Sequence, residues 1–425
     1  MTLEASGLPL ASAGVDEIMT QVLAEVDELT KTFSESGFSL YLVGGIVRDI
    51  HLGVPVDDLD FDLTTDAHPS KIRELVSPLS DAVWGQGEKF GTIGCEINDR
   101  PYEITTHRAE SYGDMSRKPD VVFGDDIETD LSRRDFTVNA MAVRTIDGLL
   151  IDPFGGRAAL EKRRLVTPIE PEESFADDPL RILRAARFVA RLGLRVDDSV
   201  RNAAVSLIDR MAIVSAERVR DEFDKLLSAP RPSSGLDFLS SVGAWRFIAP
   251  SIDAAELAFL GDDLDRSRVD RDLRRLVVFS RCPSHQRGEQ LDALRYSNTE
   301  SRHIRLVLAG FDLVAHGGQD FEPTTVRRLV DRVGYGSMAS LLELLEVRQT
   351  RDRGLGSLFV ELDAAEDLSM LRPGLTGEDI MDLLGIESGP EVGAALSVLQ
   401  ERRFEDGPLD RQSEVAYLLE RYRRR

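Results

Sequence analysis

Cysteine is almost absent. Two occur in 425 residues, Cys95 and Cys282, far apart and in no CxxC spacing. A disulfide framework and a cysteine-ligated zinc site are excluded, and a reducing compartment, the cytoplasm, fits. Long apolar runs are missing as well, so no stretch of the chain is suited to cross or anchor in a membrane. Residues Met1 to Val15 have neither a basic start nor an apolar block with a cleavage site, and no secretion signal is expected. Positive charge is the third shortage. Lys and Arg number 52 against 75 Asp and Glu, for a net charge of −23. Taken alone, that balance argues against nucleic acid, whose binding is dominated by Lys and Arg. Net charge is a whole-chain sum, however, and binding is local. The question is whether the arginines cluster.

What is present is ordinary for a globular protein. Hydrophobic residues make up 42%, and the length allows two to four domains with their own cores. The chain is organised around Leu40 to Asp66. Leu40 to Val43 is a short apolar run closed by Gly44 and Gly45, the punctuation of a buried strand. Without a Cβ these glycines let the backbone approach a phosphate and adopt positive φ. A helix is expected to follow, its free N–H groups turned to the same spot, with Arg48 in its first turn as a charged fork. Next come Asp58, Leu59, Asp60, Phe61, Asp62 and Leu63. Read as a strand, Asp58, Asp60 and Asp62 share one face and Leu59, Phe61 and Leu63 point to the core. Carboxylates opposite a glycine turn suit Mg²⁺, which prefers hard oxygen ligands plus substrate phosphates.

Two further blocks carry charge in a pattern. Arg133-Arg134-Asp135 can form a salt-bridged fork that leaves one guanidinium for a triphosphate or ribose. Between Asp177 and Arg195 there are five arginines and two aspartates, a local surplus of +3. On a helix, Asp178, Arg181, Arg184, Arg187 and Arg191 fall on one side. Cytosine and adenine both present an exocyclic amine beside a ring-nitrogen acceptor, while guanine and uracil present the reverse. Asp178 accepting from the amine and Arg181 donating to the ring nitrogen would admit C or A and reject G and U. Arg184 and Arg187 would reach phosphates or ribose.

Gly44-Gly45-x-Val47-Arg48-Asp49 followed by Asp-x-Asp resembles the signature of the class II tRNA nucleotidyltransferase (CCA-adding enzyme) and bacterial poly(A) polymerase family. Asp130 to Ala142 matches the family's Arg-Arg-Asp-Phe-Thr-x-Asn-Ala block, and Asp152-Pro-Phe-Gly-Gly156 its hinge. Ala176 to Arg181 resembles the template block, with Asp177 where Glu is usual. Glu217 to Leu227 resembles the next motif, expected to brace the template helix. The likeness implies an α+β protein: a nucleotidyltransferase head with a small mixed sheet, followed by an all-α neck, body and tail. The bounds expected are 1–35 for one N-terminal helix, 36–160 for the head, 161–230 for the neck, 231–370 for the body and 371–425 for the tail. Ser228 to Gly235, rich in Pro and Ser, reads as a joint, and Glu110 to Asp126 as a lid loop.

The resemblance implies two Mg²⁺ ions held by Asp60 and Asp62, or by Asp58 and Asp60 if spacing is counted from the glycines. It makes Arg134 the nucleotide-contacting arginine, beside Gly44, Gly45, Arg48, Asp178, Arg181, Arg184 and Arg187. The implied partners are CTP, ATP and the 3′ end of tRNA. The implied activity is CCA addition, with poly(A), CC-only and A-only addition as alternatives, and a non-catalytic RNA-binding relative as the alternative of another class. None of the six histidines is followed by Asp; Ser280-Arg281 stands where relatives carry a His-Asp phosphohydrolase pair, so that activity is not expected. Pro373 to Gly393 and the arginines at 421–425 are candidate RNA contacts. The sequence carries no signal of oligomeric state.

Overall fold

The computed structural model describes residues 14–111, 120–124, 126–317 and 320–422. Contacts divide the chain into two units, one up to Pro250 and one from Ser251. The first unit opens with two helices, α1 (Val15–Glu25) and α2 (Asp27–Glu35), where one was expected. They break at Val26, whose side chain nevertheless continues the buried stripe of Val22, Leu29 and Phe33.

The head follows as β1 (Leu40–Val43), α3 (Gly45–His51), β2 (Phe61–Thr65), α4 (Pro69–Val76), β3 (Ala82–Trp84), β4 (Thr92–Ile97) and β5 (Arg100–Thr106). Then come β6 (Arg108–Ser111), β7 (Asp120–Phe123), α5 (Ile127–Ser132), β8 (Ala142–Arg144), β9 (Leu150–Ile151) and α6 (Gly156–Glu161). Among the described residues, seven strands form one mixed sheet in the order β3-β4-β5-β2-β1-β8-β9. Only β2 and β5 run parallel, with Phe61 opposite Tyr102 and Asp62 opposite Glu103. The sheet's inner face is apolar because Phe61, Leu63, Ile93 and Ile104, almost wholly buried, lie beside Leu42 of β1, whose strand is buried on both faces. The expected lid lies largely outside the described residues (112–119 and 125); the backbones of β6 and β7 that flank it pair antiparallel. In the Asp152-Pro-Phe-Gly-Gly156 segment, Asp152 accepts from the backbone N–H groups of Gly156 (2.6 Å) and Arg157 (3.0 Å), capping α6.

The neck is helical apart from the two-residue strands β10 (Arg164–Leu165) and β11 (Arg195–Val196), which pair with each other. Its helices are α7 (Pro171–Asp177), α8 (Arg181–Leu192), α9 (Asp198–Leu207), α10 (Ala216–Leu227) and α11 (Pro232–Ser241). In the Ser228 to Gly235 stretch, expected as a joint, residues 228–231 link α10 to α11 and residues 232–235 open α11. Pro232 sits in its first turn, where a missing N–H costs nothing, and the helix packs on α8. The unit from Ser251 contains helices α12 (Ala254–Arg266), α13 (Arg271–Ser280), α14 (Arg287–Ala293), α15 (Asn298–His316), α16 (Pro323–Val333), α17 (Met338–Val347), α18 (Leu355–Glu366), α19 (Gly377–Leu384), α20 (Pro390–Asp406) and α21 (Arg411–Tyr422). There Arg281 bonds Asp263 and Glu256. Helix caps account for part of the 373–393 segment: Thr376 and Asp379 form a capping box, and Gly385 ends α19 in the left-handed conformation. No described helix is long and apolar enough to cross a membrane. Of the terminal arginines, those at 423–425 lie outside the described residues.

Gly235 sets how closely α11 meets α8. A Cβ there would stand 2.6 Å from the carbonyl oxygen of Ala186 and 3.0 Å from Leu226 Cδ1. Replacing an interior helical glycine by alanine ordinarily stabilises by about 0.5–1 kcal/mol. Gly235→Ala is expected to destabilise instead, by about 1–3 kcal/mol, because the backbone oxygen cannot move aside cheaply. Urea unfolding checks this; an unchanged or raised midpoint would mean the two helices are not in this contact.

Candidate active site

A cleft of about 620 Å³ opens in the first unit, a size suited to a small-molecule ligand. It is lined by the β1–α3 turn, the β2–β5 strand pair, the Arg-Arg-Asp block and one side of α8. Seven arginines (48, 133, 134, 181, 184, 187 and 191) and six carboxylates (49, 60, 62, 103, 135 and 178) line it. That leaves a formal +1 in a chain of −23.

The glycine turn works by what it admits. Gly44 has φ 76°, and a Cβ there would lie 2.7 Å from Arg134 Nη1. Any larger residue would evict the guanidinium. Arg134 also donates from Nη2 to Asp130 at 3.1 Å. Its Nε–H is buried and has no protein acceptor among the described residues, a donor suited to an anion from outside the chain. Helix α3 is only seven residues long, so the positive potential here owes more to Arg134 than to a helix end. Arg48 lines the cleft but is not the open fork expected. Its Nε and Nη2 donate to Asp49 at 2.7 and 2.8 Å, and its Nη1 to Asn139 Oδ1 at 2.5 Å.

The carboxylate row is shorter than the sequence pattern suggested. Pro55 starts a 3₁₀ turn over Val56–Asp58, closed by the Asp58 N–H on the Pro55 carbonyl at 3.0 Å. Asp58 is therefore exposed, off the strand and outside the cleft lining, while Leu59 still turns inward. Asp60 and Asp62 both line the cleft. A third carboxylate joins them: Glu103 of β5, the parallel register partner of Asp62. Alternation alone would have placed Glu103 on a polar face between buried Tyr102 and Ile104, but nothing in the sequence announces that β5 lies beside β2. Burial, then Glu103, then Asp60 push the Asp62 carboxyl up to about 6, against the pull of Arg134 and Arg48. Such crowded anions suit a cation. Among the described residues no three His, Cys, Asp or Glu side chains close into a metal cage, so the set offers partial ligation, as Mg²⁺ sites completed by substrate phosphates do.

The Arg-Arg-Asp block divides its pairing differently from the local fork expected. The partner of both arginines is Asp130, on α5 and fully buried. Its Oδ1 accepts from Arg133 Nη2 at 2.7 Å and its Oδ2 from Arg134. Burial raises the Asp130 carboxyl, but Arg134 and Arg133 outweigh it and hold it at about 2. Asp135 reaches across to α8. Its Oδ2 accepts from Arg184 Nε at 2.7 Å, and its Oδ1 from Asn139 Nδ2 at 2.9 Å and the Phe136 N–H at 2.8 Å. Burial opposes its ionisation too, and Arg184 and Asn139 bring it down to about 2.

The template block spans the junction of two helices, with Asp178 just ahead of the second. Helix α7 ends at Asp177 and α8 begins at Arg181, leaving Asp178 in extended backbone at the junction. Its Oδ1 accepts from the Leu180 N–H at 3.1 Å. Arg181 is almost wholly buried, donating from Nη1 to Ser174 Oγ at 2.7 Å and from Nη2 to the Arg133 carbonyl at 2.5 Å. Arg187 pairs with Glu222 of α10 at 2.8 Å and lies over the Phe188 ring at 4.5 Å. Arg184 and Arg187 thus line the cleft but are held by buried acids, Asp135 and Glu222. Glu222 and Asp130 were not singled out in the sequence. Glu222 is marked only by its burial beside Arg187 of another helix, and Asp130 by its burial beside Arg133 and Arg134, three and four residues further on.

Asp130 carries a pH signature. Its folded pKa lies below the unfolded value, so the stability it contributes is complete above about pH 4 and is lost as pH falls toward about 2. Asp130→Asn is expected to cost roughly 2–3 kcal/mol at pH 7, with the gap to wild type closing between about pH 4 and pH 2. Denaturant unfolding as a function of pH reads this directly. A gap independent of pH would show that the carboxylate charge is not what holds the two arginines.

Comparison with known proteins places this cleft in a family. The family described as "Poly A polymerase head domain" matches residues 40–166, and "Probable RNA and SrmB-binding site of polymerase A" matches residues 193–256. A CCA-adding enzyme of Geobacillus sp. is 37% identical over 221 residues, which are 52% of this chain and 53% of that protein. One of Lactobacillus delbrueckii subsp. bulgaricus is 32% identical over 314 residues, 72% of this chain and 76% of that protein. Among solved structures, the Bacillus stearothermophilus CCA-adding enzyme in complex with CTP superimposes with a TM-score of 0.74 at 27% identity, covering 96% of this chain and 98% of that one. The chain belongs to the CCA-adding enzyme and poly(A) polymerase head family of nucleotidyltransferases.

Proposed function

We propose that the protein adds C and A residues from CTP and ATP to the 3′ end of tRNA in the cytoplasm, releasing pyrophosphate. The observation that carries this is that one cleft presents Asp60, Asp62 and Glu103 on one wall and the Asp178/Arg181 edge on another. One side can serve the reacting phosphate while the other reads the base. The relatives' names and the CTP complex of the Bacillus enzyme support it.

In the reaction, the RNA 3′-oxygen attacks the α-phosphorus, the bond to the bridging oxygen breaks, and the hydroxyl proton leaves to solvent. Asp60, Asp62 and Glu103 are the residues that would hold the divalent ions the family generally uses, here two Mg²⁺. Bound there, such ions make the 3′-hydroxyl a better nucleophile and neutralise the departing pyrophosphate. Arg134, pinned by Asp130, meets the phosphates through the face that Gly44 leaves open. Arg48 acts mainly by holding Asn139 and Asp49 in place. At the other wall, Asp178 accepts from the amine of C or A, and Arg181 has three N–H groups beyond its bonds to Ser174 and Arg133 with which to donate to the ring nitrogen. Guanine or uracil would set its oxygen against the Asp178 carboxylate.

The test is incorporation of labelled CTP and ATP, separately and together, on tRNA lacking CCA and on tRNA ending in CC. Two C, then one A, then a halt is expected. C alone, or A alone on the CC substrate, would make this half of a split pair, and long A tails on unrelated RNA would make it a poly(A) polymerase. Chelation by EDTA is expected to abolish incorporation and excess Mg²⁺ to restore it. Asp62→Ala is expected to lower kcat by at least about 100-fold, more than loss of an outer partner of a metal ligand costs, while Asp58→Ala stays within about twofold. Activity in EDTA, or equal losses at 58 and 62, would overturn the placement of the metal.

A further inference from the structure

The sheet divides the cleft at β2. On one side lies β1 with its glycine turn, and on the other β5, β4 and β3. Arg134, packed against Gly44, belongs to the first side. In an in-line displacement the attacking and leaving oxygens stand opposite each other across the phosphorus. With pyrophosphate departing toward Arg134, the RNA 3′-oxygen has to arrive from the side of β5. Register sets Thr92 opposite Thr105 and Gly94 opposite Glu103, and directly opposed residues of an antiparallel pair share a face. Thr92, Thr105 and Glu103 all line the cleft. The two threonine hydroxyls are hydrogen-bonded at 2.9 Å. The space above Gly94 is taken by Trp84, its register partner on β3: a Cβ on Gly94 would fall on Nε1 and Cε2 of the indole. The indole therefore lies across the glycine on the cleft face of the sheet, one strand spacing of about 4.8 Å beyond Glu103. It is only half-buried.

We propose that this side of the cleft is the subsite for the last nucleotide of the acceptor RNA, with Trp84 stacking on its base and the Thr92/Thr105 hydroxyls meeting its ribose. The proposal rests on the reading of Asp60, Asp62 and Glu103 as the reacting centre and of Arg134 as a phosphate contact. An aromatic ring accepts any base, because every base has a π-face. Such tolerance is what successive additions require, since the acceptor ends in a newly added nucleotide each time. A hydrogen-bonding edge that read the last base would stall after one step. One threonine proton is used between the two hydroxyls. The other proton and the remaining lone pairs can meet a 2′-hydroxyl, which both donates and accepts. Held at base and ribose, the last nucleotide presents its 3′-oxygen beside Glu103 and Asp62 without touching the edge that reads the incoming base.

The experiment uses the full-length protein and tRNA lacking CCA, either intact or with its last nucleotide abasic. Indole fluorescence gives the first readout, because the only other tryptophan, Trp245, is buried in the neck. Intact tRNA is expected to quench the emission more than abasic tRNA, and Trp84→Phe to remove that difference. Steady-state incorporation gives the second readout, with thermal unfolding to confirm that each variant is folded. Trp84→Ala is expected to raise KM for intact tRNA by about 10-fold, and Trp84→Phe to recover most of this. KM for CTP is expected to stay within about twofold, and so is the difference between wild type and Trp84→Ala on abasic tRNA. Thr105→Val is expected to weaken the preference for a terminal ribose over a 2′-deoxyribose. Equal quenching by the two tRNAs in wild type would overturn the proposal, and that measurement does not depend on any variant folding. Equal KM effects of Trp84→Ala on both tRNAs, or a rise in KM for CTP as large as that for tRNA, would overturn it too. An unchanged ribose preference in Thr105→Val would overturn the part given to the threonines. Wild-type protein that incorporates nothing on any acceptor would overturn the proposed function itself, and this subsite with it.

Discussion

Seven arginines face one cleft, and their mutual repulsion is the constraint that the rest of the first unit answers. Bare, such a cluster would push itself apart or fill with solvent anions. Buried acids prevent this. Asp130 pins Arg133 and Arg134, Asp135 pins Arg184, and Glu222 pins Arg187. For Asp130 and Asp135 desolvation would raise the pKa, yet both are held at about 2 because the guanidiniums beside them outweigh that cost. The arrangement leaves a small net positive potential with fixed geometry, suited to receive a polyanion and release it after reaction.

Asp135 and Asp49 lie far in the chain from the arginines they meet, and that is how the cleft ties head to neck. Asp135 follows the head's α5, while its arginine partner Arg184 sits on α8. Arg181 donates to the Arg133 carbonyl. Asp49 of α3 receives Arg191 at 3.5 Å. The Asp178/Arg181 edge and the Arg133/Arg134 edge are thus parts of one hydrogen-bonded body. A strongly acidic protein can handle nucleotides and RNA on these terms, because the potential that matters extends only about 8–10 Å at physiological salt.

Legibility in the sequence followed the range of the interaction. The buried run Leu40 to Val43, the glycine turn and the charged side of α8 were readable because each follows from spacing over a few residues. Asp60 and Asp62 were readable for the same reason. Asp58 was misplaced because a proline-led 3₁₀ turn displaced the strand's start, and alternation cannot show where a strand begins. Within Ser228–Gly235, read as a joint, Pro232 opens α11: proline can begin a helix as well as break one, and α8 supplies the packing that decides.

The sequence by itself determined the chemistry on offer: which residues can bind phosphate, which can hold a divalent ion, and which pair can tell an amine from a carbonyl oxygen. It also determined the family, through motifs dense over the first half of the chain. Only the tertiary structure decided which of those groups meet. Glu103 reaches Asp62 through parallel pairing of strands some forty residues apart. Asp130, not its neighbour Asp135, holds Arg134. Arg218 finds Asp178 from another helix. The first and last of these are long-range contacts set by how apolar faces stack, and stacking depends on the shape of the whole core, which no local run of residues encodes.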